Sequence, residues 1–401
     1  MKPASAAAPP APALADAARR PRREGLRDTV RRWRDRLLSD ARFQRRAAAF
    51  APTRPIVRAQ TRAMFDLCAG FVYSQVLYAC VSLGLLRRLL DMPQTPAELA
   101  QALGLPPERL ERLLVAAQAL GLVERRGGGR VGLGMLGAAL QGNPGVEAMV
   151  RHHALLYADL ADPVALIRNR PRDGGLSSFW GYVGAAAPSD LAREDVLPYS
   201  RLMGESQQFF SELVLAAYPF ERHRQLLDVG GGDGSFAAAA ARHVTGLQVA
   251  TFDLPAVAQQ AQARFQALGL QGRARAHGGD FFRDPLPAGA DLVTLVRVVH
   301  DHDDAKVEQL LRGVRRCMAP GAVLLIAEPM GDEGGADPVA DAYFGMYLLA
   351  MGSGRARNRA QLRALLQRNG FAEVREHPTR NGVLASVLTA RPSDRESVNK
   401  D

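Results

Sequence analysis

The chain has 401 residues, of which 47% are hydrophobic and 23% are charged, a composition typical of a globular protein with two or three domains. No uninterrupted apolar run approaches the ~18 residues of a membrane span, and the N-terminus lacks the apolar core of a signal peptide, so neither is expected. Three cysteines without metal-type spacing (Cys68, Cys80 and Cys317) are expected to be buried, reduced thiols of a cytoplasmic protein.

The net charge of +10 is concentrated at one end of the chain. Residues 1–60 contain fifteen Lys or Arg and five Asp or Glu, whereas the remaining residues contain 36 of each kind. The part of the chain expected to be globular is therefore neutral, which argues against a general affinity for nucleic acid.

Residues 1–60 are predicted to form a basic leader rich in Ala, Pro and Arg, disordered at its start. Further along, apolar residues recur at every third or fourth position among arginines: Leu26, Val30, Trp33, Leu37 and Ala41. This spacing predicts a basic amphipathic helix. Two uses are open: the helix packs on its own fold or on a partner subunit, or residues 20–50 contact an anionic membrane surface.

Residues 61–185 are predicted to form a mostly α-helical domain. The segment Phe71–Val81 is apolar on nearly all sides and is expected to be buried. Thr95-Pro96-Ala97-Glu98 is a capping box that opens a helix ending at Gly104. A second helix, from Pro107 to Leu120, is followed by a two-stranded wing over residues 123–131. The order helix, turn, helix, wing is typical of a winged-helix domain.

A winged helix raises the possibility of a DNA-binding regulator. A recognition helix should present surplus basic side chains to the groove. The second helix instead balances Arg109 and Arg112 with Glu108 and Glu111. Its charge therefore favours dimerisation over DNA binding.

Residues 186–392 alternate strand and helix patterns, which predicts a Rossmann-like α/β domain with a mostly parallel sheet, followed by a tail at 393–401. Its most informative stretch is residues 226–236, where a strand leads through a glycine cluster into a helix. Glycines let the backbone pass close under a ligand, and a helix start offers free N–H groups. Asp228, Gly230 and Gly232 are therefore candidate cofactor ligands.

Polar residues also follow the next three predicted strands. Asp253 lies 25 residues after Asp228, at the end of the second strand, where a carboxylate accepts hydrogen bonds from ribose hydroxyls. Asp280 and Phe281 follow the third strand and could read and stack an adenine, and His300 follows the fourth. Ligands and chemistry gather at strand ends in open α/β sheets.

This succession of motifs resembles the S-adenosylmethionine-dependent small-molecule O-methyltransferases of the caffeic-acid type, from about residue 203 to 390 and more weakly before that. The resemblance implies S-adenosylmethionine as cofactor, no metal, and a winged-helix domain that forms a homodimer. It adds Arg297, which matches a lysine of the family, to the cofactor-binding residues. Within the family, the basic leader and residues 343–352 look most like the bacterial enzymes that methylate tertiary hydroxyls of acyclic carotenoids.

His300 is the candidate general base. An alcohol does not ionise at neutral pH, and imidazole titrates in the working range; the resemblance points to the same residue. Asp301 and Glu328 are expected to hold its ring. The family's bracing glutamate is missing, because the chain reads Ala356 there. His302 lies beside further acids, but neighbours in sequence seldom converge on one ion, so no metal is expected.

The acceptor is expected to be a lipophilic small-molecule alcohol. Its pocket is assigned to four apolar residues: Trp180, Met203, Met346 and Met351. Met351 stands nearest to the position where plant phenol methylators carry an asparagine, and loss of that polar contact suits a hydrocarbon substrate. Phenols and polyketides remain the alternative acceptors. The expected location is the cytoplasm, with peripheral contact at the inner membrane as the further hypothesis.

Overall fold

The computed structural model describes residues 26–168, 175–179, 207–331, 339–382 and 384–393. The chain divides into two compact units, residues 1–74 and 75–401. The predicted class is confirmed: a mostly helical first part precedes an α/β part with a seven-stranded sheet. The predicted domain limits at residues 60, 185 and 392 stay predictions, and residue 185 lies outside the described residues.

The first part is helical except for one short hairpin. Its helices are α1 (Leu26–Ser39), α2 (Ala41–Ala49), α3 (Arg54–Ser82), α4 (Leu85–Asp91), α5 (Pro96–Leu103), α6 (Pro107–Ala119), α7 (Met135–Gln141), α8 (Pro144–Asp159), α9 (Pro163–Arg168) and α10 (Gly175–Phe179). Its strands are β1 (Val123–Arg125) and β2 (Val131–Leu133).

The predicted amphipathic helix forms, but it is shorter than the sequence pattern indicated. Helix α1 ends at Ser39, and Ala41 belongs to α2. The reason is Asp40, whose side chain accepts a hydrogen bond from the Phe43 backbone N–H at 2.7 Å and so starts a new helix. No residue of α1 or α2 is buried.

Helix α3 departs from two predictions. Cys80 and Val81 are buried as expected, but Phe71 is 71% exposed and Val72 44% exposed, so burial of the whole segment was wrong for one isolated chain. Cys68 is likewise exposed rather than buried. Among residues 26–74, the described part of its compact unit, no layer covers the first half of α3, which a pattern of apolar residues alone does not reveal.

By length and composition alone, α3 could also cross a membrane, since it contains an 18-residue window with a mean hydropathy of 1.4. The sequence expectation of no such span rested on uninterrupted apolar runs. A window average tolerates the few polar residues that interrupt α3, which is why the two criteria differ.

The winged-helix elements are confirmed in detail. The Thr95 hydroxyl accepts from the Glu98 N–H, and the Thr95 N–H donates to the Glu98 carboxylate at 2.7 Å, which completes the capping box. Strands β1 and β2 pair antiparallel as the wing. Two of the three wing arginines are paired with acids: Arg125 with Glu111 and Arg126 with Glu124.

The second part contains the sheet and its flanking helices. The helices are α11 (helical over residues 207–217), α12 (Ser235–His243), α13 (Pro255–Ala267), α14 (Asp304–Cys317), α15 (Gly345–Met351) and α16 (Arg359–Arg368), with one π-helical stretch at Val339–Phe344. The strands are β3 (Gln225–Val229), β4 (Gln248–Asp253), β5 (Ala274–Gly278), β6 (Ala290–Val296), β7 (Met318–Glu328), β8 (Phe371–His377) and β9 (Ser386–Pro392).

The strand order is β5-β4-β3-β6-β7-β9-β8. Strands β3 to β7 are parallel, and β9 lies antiparallel between β7 and β8. Apolar clusters cover both faces of the sheet, which explains why β3, β6 and β7 are almost continuously apolar. Since β4 and β6 flank β3 on opposite sides, the chain reverses its direction of winding there. Open α/β sheets form their ligand crevice at the carboxyl ends of the strands around such a point.

Two adjacent histidines of α8 hydrogen-bond to two tyrosines in the segment that follows β7 in the chain. His152 Nε2 lies 2.7 Å from the Tyr347 hydroxyl, and His153 Nε2 lies 2.7 Å from the Tyr343 hydroxyl. Burial, with a smaller contribution from the charge of His153, lowers the pKa of His152 to about 4. His152 is therefore neutral in the folded chain at neutral pH.

This burial makes stability depend on pH. The pKa of His152 is lower when folded than the ordinary value of 6.5, so its stabilising contribution is complete above pH 6.5 and is lost as pH falls towards 4. The full loss is on the order of 3 kcal/mol. Chemical denaturation of the wild type and of His152→Gln, which can still hydrogen-bond but cannot titrate, should show a smaller acid destabilisation in the variant. Equal pH dependence in both proteins would contradict this origin.

Candidate active site

The glycine loop between β3 and α12 lies at the crevice. Gly230 has φ +71°, and a Cβ there would stand 2.7 Å from the Val298 side chain. Gly232 has φ +59° with open space where its Cβ would point. The loop therefore needs glycine for its conformation and its close packing, and it leaves room beside Gly232.

Asp253 and the glycine loop are in direct contact, although 21 residues separate Asp253 from Gly232. The Asp253 carboxylate accepts the Gly232 N–H at 2.8 Å and the Leu254 N–H at 2.7 Å. Burial raises the pKa of Asp253 to about 6, against these hydrogen bonds. A ligand hydroxyl that donates to this carboxylate would favour its ionised form.

Asp228 lies inside β3 and is almost fully buried. One carboxylate oxygen accepts the Thr294 hydroxyl at 2.6 Å. The other is buried and has no hydrogen-bond partner within the described part of the chain. Burial raises the pKa of Asp228 to about 7. An unpartnered acceptor under the glycine loop is a position that a polar ligand group could satisfy.

Asp280 and Phe281 follow β5 directly, one strand further out. The Asp280 carboxylate accepts the Phe282 N–H at 2.8 Å. The Phe281 ring lies edge-on to the Phe282 ring and to His302, with centroids 4.6 and 5.8 Å apart. Burial lowers the pKa of His302 to about 4, so its ring is neutral. Carboxylates for ribose hydroxyls and rings for a purine thus stand at adjacent strand ends, a set that fits S-adenosylmethionine.

Arg297 has φ +58°, which is uncommon for a residue with a side chain. Its backbone N–H donates to the Ala327 carbonyl at 2.8 Å. Its guanidinium lies 5.7 Å from the centre of the Phe210 ring and 3.5 Å from the Gln207 side chain. Its assignment as a cofactor donor stays a prediction.

His300 lies in a short 3₁₀ turn (Val299–Asp301) after β6, between two carboxylates. Its Nε2 is 3.0 Å from Asp301 Oδ1, and its Nδ1 is 3.7 Å from Glu328 Oε2. Glu328 also accepts the His300 backbone N–H at 3.0 Å. Burial lowers the pKa of His300, but Asp301 and Glu328 together outweigh burial and raise it above its ordinary value. The structure thus brings the three predicted catalytic residues together.

The segment after α15 also reaches the His300 turn, which sequence analysis missed. Of this segment only Ala356 was singled out from the sequence, as a departure from the family pattern. In the structure Arg355 N–H donates to the His300 carbonyl at 2.8 Å, and Arg357 is buried against the same turn. The sequence offered one signal: Arg357 stands next to Ala356, the position at which the resemblance predicts a glutamate that braces His300.

The predicted acceptor residues are only partly described, because Trp180 and Met203 lie outside the described residues. Met351 is fully buried in an apolar cluster with Leu156, and Met346 is half-buried beside it. Phe344, one helical turn before Leu348, stacks near His300 with ring centroids 6.2 Å apart. In the described ranges, no group of three or more His, Cys, Asp or Glu could hold a metal ion.

Comparison with known proteins gives two family matches. The O-methyltransferase domain matches residues 157–372, and the O-methyltransferase dimerisation domain matches residues 65–140. The demethylspheroidene O-methyltransferase of Cereibacter sphaeroides is 44% identical over 382 residues, which cover 94% of this chain and 99% of that one.

Solved structures of methyltransferases give the same assignment. Human N-acetylserotonin methyltransferase in complex with SAM aligns with a TM-score of 0.70 and 25% identity, over 83% of this chain and 98% of that one. The mitomycin 7-O-methyltransferase MmcR aligns with a TM-score of 0.69 and 27% identity, over the same shares. The dimerisation match indicates a homodimer. Taken with the nucleoside-type crevice and the His300 cluster, these matches show that the chain belongs to the S-adenosylmethionine-dependent O-methyltransferases.

Proposed function

We propose that this enzyme methylates the tertiary hydroxyl of an acyclic hydroxycarotenoid, with His300 as the general base, from the cytoplasmic face of the inner membrane. The observation that carries the substrate class is the 44% identity, over 94% of the chain, to a demethylspheroidene O-methyltransferase. Phe344, which stacks beside the imidazole, and the apolar cluster next to it support this class independently.

The cofactor contacts follow from the crevice. Asp253 would accept the ribose hydroxyls, with Gly232 beside it, while Asp280 and Phe281 would hold the adenine. Asp228, Gly230 and Arg297 complete the proposed binding set. Bound S-adenosylmethionine supplies an electrophilic methyl group on its sulfonium sulfur, so the protein mainly aligns the acceptor and excludes water.

His300 is suited to take the acceptor's proton. Because Nε2 faces the Asp301 carboxylate, it carries the ring proton of the neutral imidazole, and Nδ1 keeps the lone pair. Nδ1 is shielded from solvent and has no hydrogen-bond partner among the described residues. A proton received there would give an imidazolium between Asp301 and Glu328, which stabilise it.

The residues around this base favour a lipophilic acceptor. Phe344 stacks beside the imidazole, and the tyrosines on either side of it turn their hydroxyls to His152 and His153. The hydroxyls of Tyr343 and Tyr347 are thus already hydrogen-bonded within the protein. Met346 and Met351 belong to the adjoining apolar cluster. A long hydrocarbon beside Phe344 and Met346 would contact a ring and a thioether rather than unpaired polar groups.

The acceptor class can be tested directly. The full-length enzyme, given isotopically labelled S-adenosylmethionine, should transfer label to a hydroxylated acyclic carotenoid in detergent or liposomes, as read by mass spectrometry. Phenols and an aromatic polyketide serve as competitors, because MmcR and the human methyltransferase share the fold. Preferential labelling of a phenol would overturn the carotenoid assignment while leaving the enzyme class intact.

The base can be tested by substitution. His300→Gln keeps a polar side chain of similar reach but cannot accept a proton, so turnover should fall by roughly 100-fold or more. Calorimetric affinity for S-adenosylhomocysteine should remain, because His300 is not among the proposed cofactor ligands. A near-wild-type rate would mean that alignment alone drives the transfer.

Membrane delivery is the part of the proposal that concerns residues 20–50, of which the structure describes residues 26–50. A carotenoid is sparingly soluble and stays in the bilayer. Helix α1 exposes Leu26, Val30 and Trp33 beside arginines. Interfacial helices bind through apolar burial together with attraction of basic residues to anionic lipid. The dimerisation match begins at residue 65, which leaves α1 and α2 outside that match.

Charge reversal in α1 tests this role. Arg31→Glu with Arg34→Glu should strongly reduce cosedimentation with anionic vesicles at low salt, whereas Arg109→Glu with Arg112→Glu on α6 makes the same change of charge elsewhere. The wild-type association should also weaken with salt. Equal sedimentation of the two double variants, or no binding by the wild type, would refute membrane delivery through α1.

A further inference from the structure

The turn that carries His300 is bound along its whole backbone by residues 353–357. Four consecutive carbonyls accept hydrogen bonds from this segment, which we term the strap. The bonds are Arg357 Nη1 to Val299 O (2.9 Å), Arg355 N to His300 O (2.8 Å), Ser353 Oγ to Asp301 O (2.9 Å) and Arg357 Nη2 to His302 O (2.8 Å). Two of the four come from one guanidinium.

That guanidinium is a buried charge, since Arg357 is only 2% exposed. It is compensated by Asp304, whose Oδ1 accepts from Arg357 Nε at 2.8 Å and from Nη2 at 2.6 Å. The Arg357 hydrogen bonds hold the pKa of Asp304 below its ordinary value. A buried charge without such partners is costly. Arginine suits the place because its planar fork offers several donors in fixed directions.

The strap also approaches the turn too closely for ordinary residues. Gly354 has φ +89°, and a Cβ there would stand 2.3 Å from the His300 carbonyl oxygen. Glycine is therefore needed both for the backbone conformation and for the contact. The approach brings the Arg355 N–H and the Arg357 side chain to the turn from one side.

We infer that Arg357 is a positioning residue that fixes the orientation of His300 through the backbone of its turn. This inference rests on the proposed role of His300 as the base. Asp301 lies on the same turn, whereas Glu328 lies on β7, so a shift of the turn alters the distance from His300 to Glu328. Misplacement of a catalytic group by about 1 Å can lower the rate roughly 100-fold.

The orientation also sets the titration of His300. The charged groups that face it are Asp301 and Glu328, which favour the imidazolium, and Arg297, which opposes it; the ring of His302 lies on the same turn. Loosening the turn would weaken the hold of the two carboxylates, while burial would persist. The pKa of His300 should then fall, and the acid limb of the rate profile should move to lower pH, since the base must be neutral to act.

The experiment compares Arg357→Met and Arg357→Lys with the wild type in the full-length enzyme. Arg357→Met keeps much of the side-chain volume but removes every donor, so kcat should fall roughly 100-fold, with KM for S-adenosylmethionine and S-adenosylhomocysteine affinity little changed. Its acid limb should move to lower pH. Arg357→Lys keeps the charge with fewer donors. Its kcat and its acid limb should therefore lie between those of the wild type and those of Arg357→Met.

The control is Arg363→Met. Arg363 is an exposed residue of α16 that donates to the Val374 carbonyl of the edge strand β8 at 2.6 Å. Arg363→Met should leave the acid limb of the rate profile unchanged. In Arg357→Ala, low-millimolar guanidinium chloride should restore part of kcat, while the same concentration of sodium chloride should not. Recovery of rate by the missing group is not expected from a purely structural role.

Folded Arg357→Met with wild-type kcat and an unchanged acid limb would overturn the inference. If the Arg357 variants do not fold, Asp304→Asn should produce the same acid-limb shift, because it weakens the guanidinium's anchor at a half-exposed position. Absence of that shift would overturn the inference too.

NMR titration of the His300 imidazole separates this question from the base assignment. Normal turnover in His300→Gln refutes the base, whereas an altered His300 pKa in Arg357→Met still supports positioning by the strap.

Discussion

The parallel pairing of β3 with β4 on one side and β6 on the other is the constraint on which the site depends. It places the ends of β3, β4, β5 and β6 along one edge of the sheet, so the glycine loop, two carboxylates and the His300 turn meet although they are far apart in sequence. The pairing is held by apolar clusters on both faces. Burial of β3 and β6 thus supports the chemistry at their ends.

Burial at that edge has a second consequence, because it removes charged groups from water. Asp228, Asp253, His300 and Glu328 all show pKa values displaced by their surroundings. Each is partly compensated by a neighbour: a threonine hydroxyl, backbone N–H groups or an opposite charge. The compensation is incomplete at Asp228, where one oxygen lacks a partner among the described residues. Incomplete compensation of this kind is common where a ligand completes the set.

The strap of residues 353–357 compensates backbone carbonyls of the His300 turn rather than charged side chains. A turn of four exposed carbonyls at the edge of a sheet would be mobile, and a base on it would lack a fixed orientation. The strap satisfies all four carbonyls and brings a buried guanidinium, itself balanced by Asp304. The family resemblance predicts a bracing glutamate in this segment, where the chain carries Ala356. Glu328 and Asp301 then provide the carboxylates that face the imidazole.

The sequence by itself determined the local chemistry. The capping box at Thr95 and the order of strands from 226 onward depend on short-range periodicity and hydrogen bonds, so they could be predicted. The proximity of Asp253 to the glycine loop could be predicted, because their spacing implies adjacent parallel strands. His300 and its two carboxylates were identified in the same way, with the family resemblance.

Tertiary structure alone decided the rest. At Asp40 the chain can either continue α1 or cap α2, and only the folded structure shows that it caps α2. The exposure of Phe71 and Cys68 depends on which surfaces other elements cover. The bonds from Arg357 to Val299 and His302 span more than fifty residues. No periodicity encodes such contacts, because they arise only when the packed sheet brings two irregular segments together. The orientation of His300 is therefore a property of the assembled fold.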